Sequence, residues 1–409
     1  MLNTKQLHEI RACFPFYNNR ASSQQVIYLD NAATTQKLSI VIDCLTEIWT
    51  EGSANVHRSS HSLANQLTER FEQARDSVAN FINASESSEI VWTTGVTEAI
   101  NLVANSWGDQ HIKEGDQVLV SAMEHHANLL PWQQLCERKG AQLKVIPLLD
   151  NAEIDLDALE QMLNDNVRLV AITHISNVLG SVNPLKVIID KCHQYPCKVL
   201  VDGAQAVAHL PVDVQALNCD FYVFSGHKCF APESTGVLYG KKSILATMAP
   251  WKTGGEMVKT VSYDNVEFQE PPFRFEAGTP NVSGLIALSE ALQFLSSLDR
   301  KGLHQHEQDL TTLLEQHLSS IEGLTIHSKA KQRSSIVAFS VRNCAAMDIA
   351  ALLDEQHIAV RSGQLCAMPL VNQINPAGLV RVSLAFYNSE HDIMKFVSAL
   401  KQSLELLCE

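Results

Sequence analysis

The chain has 409 residues, more than one ordinary hydrophobic core supports, and at about 150 residues per domain that length predicts two lobes. A hydrophobic content of 45% against 19% charged describes a globular protein with a sizeable interior and excludes disordered and fibrous classes. The formal net charge of −14, with no run of Lys or Arg, excludes nucleic-acid and anionic-membrane partners, which need a basic face.

The N-terminus, MLNTKQLHEIRACF, lacks the apolar segment of a secretory signal, and no apolar stretch approaches the roughly 20 residues that cross a bilayer. A soluble, cytoplasmic protein is expected. Ten cysteines with no C-x-x-C and no pairing rhythm predict reduced thiols. Cys192 and Cys197 flank His193, but no second ligand pair follows at zinc spacing, so no metal site is expected.

From about residue 25 to 290, short apolar runs alternate with helical patterns: VIYLD, EIVWTTG, QVLVSAMEHH, LVAITHISN, KVLVDGAQ and FYVFSGHK. Each run is β-branched, too short for a helix, and ends in polar or small residues, which predicts buried parallel strands feeding loops in an α/β sheet. After Gly284 the period becomes helical, with Leu285, Leu288, Leu292 and Leu295 on one face and Leu310, Leu314 and Leu318 on the next. SSIVAFSV and LVRVSLAF predict strands of a smaller sheet. Ser389 and Asp392 form a capping box before a last helix carrying Ile393, Phe396, Val397, Leu400 and Leu404. The expected organisation is a large domain over 25–290 and a smaller α+β domain over 295–409, with residues 1–24 packing against the latter.

In open α/β sheets ligands collect at the carboxyl ends of the strands, so the residues after each run carry the functional signal. Lys228 follows FYVFS. Alone it reads as a solvated surface charge, but a sheet edge beside an apolar pair would desolvate it, lower its pKa and make it the amine of a Schiff base. An aldehyde cofactor that withdraws electrons also needs an anion for its ring nitrogen, a phosphate cradle and a flat partner. Asp202 in VLVDGAQ suits the first, or else caps a helix. Gln205, one helical turn on, would reach a ring hydroxyl. His125 can stack on a ring, or be a satisfied core histidine. Gly95 and Thr97, in TTGVTEAIN, lie at a strand-to-helix turn where free N–H groups bind anions, with Ser225 and His227 as further donors. Cys366, in VRSGQLCAMPL, follows the turn-forming Arg361, Ser362 and Gly363, which predicts a loop that keeps its thiol near water.

These motifs, with LDNAATT (29–35), NVHRSSHSLA (55–64), MEHHANLLPW (123–132), ISNVLGSVNPL (175–185) and RFEAGTPN (274–281), resemble along nearly the whole chain the fold-type I pyridoxal-phosphate enzymes of aminotransferase class V, and within them the SufS-type cysteine desulfurases. The resemblance implies a large domain built on a mainly parallel seven-stranded sheet. It makes Lys228 the Schiff-base lysine, Asp202 the partner of the ring nitrogen, Gln205 the contact to the ring hydroxyl and His125 the stacking residue. Gly95, Thr97, Ser225 and His227 would hold the phosphate, joined by Thr279 from the second subunit of a homodimer. Asn177 and Arg381, with Arg361 and His57, would bind the substrate, and Cys366 would be the nucleophile that takes its sulfur. The implied reaction converts L-cysteine to L-alanine and leaves a persulfide on Cys366 for a SufE-type sulfur-acceptor protein in iron–sulfur cluster assembly. L-Selenocysteine lysis, class V amino transfer, and a non-enzymatic sulfur-carrier or scaffold role are the competing readings. Three positions depart from the family pattern: Leu365 stands where a histidine usually precedes the cysteine, Val96 replaces a common threonine, and Glu233 with Ser234 interrupts a glycine-rich segment.

Overall fold

Val118, Leu119 and Val120 are fully buried, as are Val199, Leu200, Val201, Phe221, Tyr222, Val223 and Phe224. Strands dry on both faces belong in the middle of a sheet covered by helices on each side. The structure, a computed structural model that describes residues 1–18 and 26–407, shows that sheet. Seven strands run in the order Ile90–Thr93, Gly236–Gly240, Phe221–Ser225, Lys198–Asp202, Val167–Thr173, Gln117–Ser121 and Gln142–Ile146. Only Gly236–Gly240 is antiparallel to its neighbours. The other six therefore point their carboxyl ends at one edge.

Alternate side chains serve opposite cores. Val118 and Val120 face a layer with Ile100, Val103, Trp132 and Leu135, while Leu119 faces one with Val41, Phe71, Leu288 and Leu292. A second, four-stranded antiparallel sheet runs Leu324–Ile326, Ile336–Val341, Leu379–Ser383, Arg361–Gly363. It packs on the helices Arg300–Ser319, Ala346–Asp354 and Glu390–Leu407 through Leu310, Leu314, Phe339, Phe396 and Leu400. The capping box forms: Ser389 N–H donates to Asp392 Oδ2 at 3.0 Å and Asp392 N–H to Ser389 Oγ at 3.3 Å. The N-terminal helix Thr4–Ala12 is tied to this part of the chain by Arg11, which bonds the Tyr387 carbonyl and Asp392.

Four sequence expectations change. VIYLD supplies no strand to the large sheet: Ile27–Tyr28 pairs with Ile358–Ala359, because Leu29 is buried in the core of the smaller sheet. Gly236–Gly240, which is not among the predicted strands, is an internal strand that separates Ile90–Thr93 from the parallel set. Arg361–Gly363, read as a loop, is an edge strand held by Leu379–Ser383. The chain after Asp202 continues in tight turns, not a helix, with Ala206 N–H donating to Gly203 O at 2.9 Å. The expected boundary at 24–25 lies outside the described residues. No helix among the described residues is long and apolar enough to cross a membrane.

Candidate active site

Because six strands end at one edge, residues far apart in sequence meet there. Thr97, His125, Asn177, Asp202, Gln205, Ser225, His227, Lys228, Arg361, Cys366 and Arg381 line one cavity of about 240 Å³, with the methyl groups of Ala32 and Ala33 on its wall. Twelve of the fourteen residues assigned from the sequence converge or abut here.

Gly95 lies just behind the wall. At φ 150° it starts the helix Val96–Val103, and the Val96 N–H donates to Ser225 Oγ at 2.9 Å. A Cβ at Gly95 would stand 3.2 Å from that hydroxyl, so glycine keeps the turn open. The valine at 96 therefore leaves the backbone donor in place and ties the helix start to Ser225. The His227 carbonyl is gripped by the Thr34 and Thr35 hydroxyls and the Lys37 ammonium, which fixes the segment that presents Lys228. Burial and the neighbouring Lys228 and Lys37 cations lower the His227 pKa to about 4. Glu233, the unusual acid of this segment, pairs with Lys37 at 3.2 Å.

Burial lowers the Lys228 pKa, with Arg381 and Arg361 acting the same way and Asp202 opposing them. The Asp202 carboxyl is 3% exposed; burial raises its pKa, while the Ala204 N–H on Oδ1 at 2.9 Å and Lys228 pull it down. Such an acid suits a ring N–H⁺. His125 accepts the Ala127 N–H on Nδ1 at 3.0 Å, and burial followed by the Lys228 charge lowers its pKa to about 3, so the imidazole is neutral. Gln205 donates Nε2–H to the Ala32 carbonyl at 2.7 Å, which orients its amide in the wall.

Arg381 is 2% exposed on the central strand Leu379–Ser383. Its Nη1 donates to the Asn177 carbonyl at 2.9 Å and its Nη2 to Asp30 Oδ1 at 2.7 Å, while Nε finds no hydrogen-bond partner among the described residues. A buried guanidinium with a spare donor at a cavity has the chemistry to receive a carboxylate. The Asn177 amide donates to the Leu365 carbonyl at 2.8 Å, and Arg361 Nη2 reaches Cys366 Sγ at 3.6 Å. Leu365 is 3% exposed and lines the cavity, so the position that departs from the family pattern becomes an apolar wall beside the thiol.

Two assigned residues are not in this cavity. His57 lies in a separate cleft with Arg58, Glu256 and Phe273, its ring bonded to Glu72 at 3.0 Å, and Thr279 is exposed, between Gly278 and Pro280, which line that cleft. Asp30 and Glu124 were not singled out by sequence reasoning. Asp30 follows the strand Ile27–Tyr28 and bridges to Ser383, and Glu124 is buried, accepting from Asn128 at 2.7 Å and from the Thr173 N–H at 2.9 Å, its pKa pushed up to about 8 by burial.

The desolvated amine, the buried acid, the flat imidazole and a glycine-opened turn fit a pyridoxal phosphate, and the architecture is that of a fold-type I enzyme. Residues 27–396 match the aminotransferase class-V family. Cysteine desulfurases of Shigella sonnei (strain Ss046) and Escherichia coli O8 (strain IAI1) are each 45% identical over 405 residues, covering 99% of this chain and 100% of theirs. The crystal structure of the E. coli cysteine desulfurase CsdA superposes with a TM-score of 0.92 at 39% identity, covering 99% of both chains. The apo cysteine desulfurase of Thermococcus onnurineus NA1 gives 0.91 at 32%, again covering 99% of each. The chain belongs to the class-V aminotransferase family and, within it, to the cysteine desulfurases.

Proposed function

We propose that this enzyme uses pyridoxal phosphate to convert L-cysteine to L-alanine, takes the sulfur onto Cys366, and passes it to a SufE-type acceptor protein for iron–sulfur cluster assembly in the cytoplasm. The observation that carries the reading is the single cavity that Lys228 and the Arg361–Cys366 pair share. The bound cofactor supplies an electron sink for the carbanion left at the substrate α-carbon. Arg381, through its spare Nε and the Asn177 segment beside it, holds the substrate carboxylate. The Lys228 amine, whose pKa burial lowers, removes the α-proton and returns a proton to the alanine carbon. Cys366 Sγ, which Arg361 Nη2 reaches at 3.6 Å, is the nucleophile: an S–S bond forms as the substrate C–S bond breaks, and the electron pair passes to carbon. Asp202 would hold the ring nitrogen proton, His125 would cover the ring, and Thr97, Ser225 and His227 would hold the phosphate with the Gly95–Val96 turn.

We further propose a homodimer in which Thr279 completes the phosphate site of the partner subunit, with His57 beside it. The exposure of Thr279 and its position outside its own chain's cavity support this. The division into domains at about 290–295 follows the change from the large to the small sheet.

The test is peptide mass mapping of the cofactor-loaded enzyme after L-cysteine, with alanine measured in parallel. One added sulfur on Cys366 and released alanine are expected, both lost in Lys228→Ala, with the adduct lost in Cys366→Ala. Alanine without any adduct on Cys366 would refute the persulfide. Selenocysteine turnover that survives Cys366→Ala while cysteine turnover is lost would make selenocysteine lysis the better reading.

A further inference from the structure

The turn that carries Cys366 is backbone-strained. Leu365 at φ 51° and Cys366 at φ 55° are consecutive non-glycine residues in the left-handed region, two residues after Gly363 at φ 96°. Such conformations persist only where neighbours hold them. The bonds around the turn identify what does so. Asn177 Nδ2 donates to the Leu365 carbonyl at 2.8 Å, and Ala367 N–H to the Gln364 carbonyl at 2.9 Å. Two more bonds involve one residue: His126 donates its own N–H to the Cys366 carbonyl at 2.8 Å, and its Nε2 accepts the Met368 N–H at 3.0 Å.

We propose that His126 is a positioning residue for the sulfur-accepting thiol, a clamp that brackets Cys366 from both sides and keeps Sγ over the cavity. Adjacent residues divide the work: His125 lines the cavity, and His126 turns away to hold the nucleophile's backbone. Because the Met368 N–H donates to Nε2, that nitrogen carries the lone pair and the ring is the neutral Nδ1–H tautomer. The accepted N–H belongs to the first residue of the helix Met368–Ile374, one of the donors that no helix carbonyl can satisfy, so the imidazole also caps that helix. The Cys366 turn is thus anchored to the end of the strand Gln117–Ser121, the same strand end that places His125. Nucleophile and stacking ring share one short length of backbone, and neither shifts without the other.

The inference rests on the reading of Cys366 as the sulfur acceptor, and it is tested with the cofactor-loaded full chain in the pair His126→Gln and His126→Asn. Both substitutions are polar and keep the backbone bond, but a glutamine amide reaches the position of Nε2 and an asparagine amide stops near Nδ1. Loss of one net hydrogen bond at a strained turn predicts that His126→Asn lowers kcat for alanine release about fivefold, with KM for L-cysteine within about twofold. Its Cys366 alkylation by iodoacetamide should rise about threefold or more as the turn opens locally. His126→Gln should stay within about twofold of the natural enzyme in both readouts. The absorbance of the bound cofactor should be the same in all three. The clamp is overturned if the two variants behave alike, or if His126→Asn changes only the melting temperature while alkylation and kcat hold. If the natural enzyme itself forms no adduct at Cys366, the function proposed above falls instead.

Discussion

Arg381→Lys isolates the carboxylate receptor. The guanidinium makes two buried contacts at once, to the Asn177 carbonyl and to Asp30, and has Nε to spare. A lysine keeps the charge, so Asp30 retains a cation, but its single ammonium cannot span Asp30, Asn177 and a substrate carboxylate together. One to two charge-assisted hydrogen bonds to the substrate are lost, about 2–4 kcal/mol, which is roughly 30- to 1,000-fold in kcat/KM. The loss should fall mainly on KM, because the carboxylate is held alike before and during reaction. The assay is alanine release over a range of L-cysteine concentrations, with inhibition by L-alanine and by L-alaninamide measured alongside. Lysine should weaken L-alanine and leave L-alaninamide unchanged. A KM within twofold of the natural enzyme, or equal weakening of both inhibitors, would refute the assignment of Arg381.

Three further outcomes follow from the packing and the titrations. In Gly236→Ala the new Cβ would come within 2.3 Å of Gly95 Cα, so the turn must shift, at about 1–3 kcal/mol, and the variant should release pyridoxal phosphate faster in a spectrophotometric dilution assay. Arg75 is 1% exposed and bonds Glu276, Glu72 and the Ile90 carbonyl; Arg75→Met leaves Glu276 buried without its cation and should lower stability to urea by about 3–5 kcal/mol, with much of it recovered in the double variant Arg75→Met, Glu276→Leu. An unchanged urea midpoint would refute it. His174, bonded to the Tyr222 hydroxyl at 2.9 Å, has its pKa lowered from 6.5 to about 4 by burial. The unfolded chain then binds the proton more readily, so stability is full above pH 6.5 and falls as pH drops towards 4. His174→Gln should remove about 2 kcal/mol of the change in unfolding free energy between pH 7 and pH 5, and an undiminished change would show that other groups carry it.

The central strands and their ends were legible in the sequence because a strand buried on both faces must be apolar throughout, and the polar residue that follows it must lie at the sheet edge. That reasoning reached Asp202, Lys228 and Gly95 without any long-range information, and the N–H of Val96 donates to Ser225 Oγ where a threonine was missing. Gly236–Gly240 escaped because its five residues are bounded by glycines and become a strand only when Phe221–Ser225 lies alongside. Arg361–Gly363 escaped for the same reason: polar and glycine-ended, it is a strand only by virtue of its pairing with Leu379–Ser383. His57 shows the converse, a residue assigned to the substrate by resemblance whose ring is bonded in its own chain to Glu72 on the following helix. Local composition determines which segments are strands, helices and strand ends, since those depend on periodicity and burial along a few residues. Where Arg381 meets Asp30 across 351 residues, and how His126 holds Cys366 across 240, depends on the registers and crossings of two sheets, which no local pattern encodes.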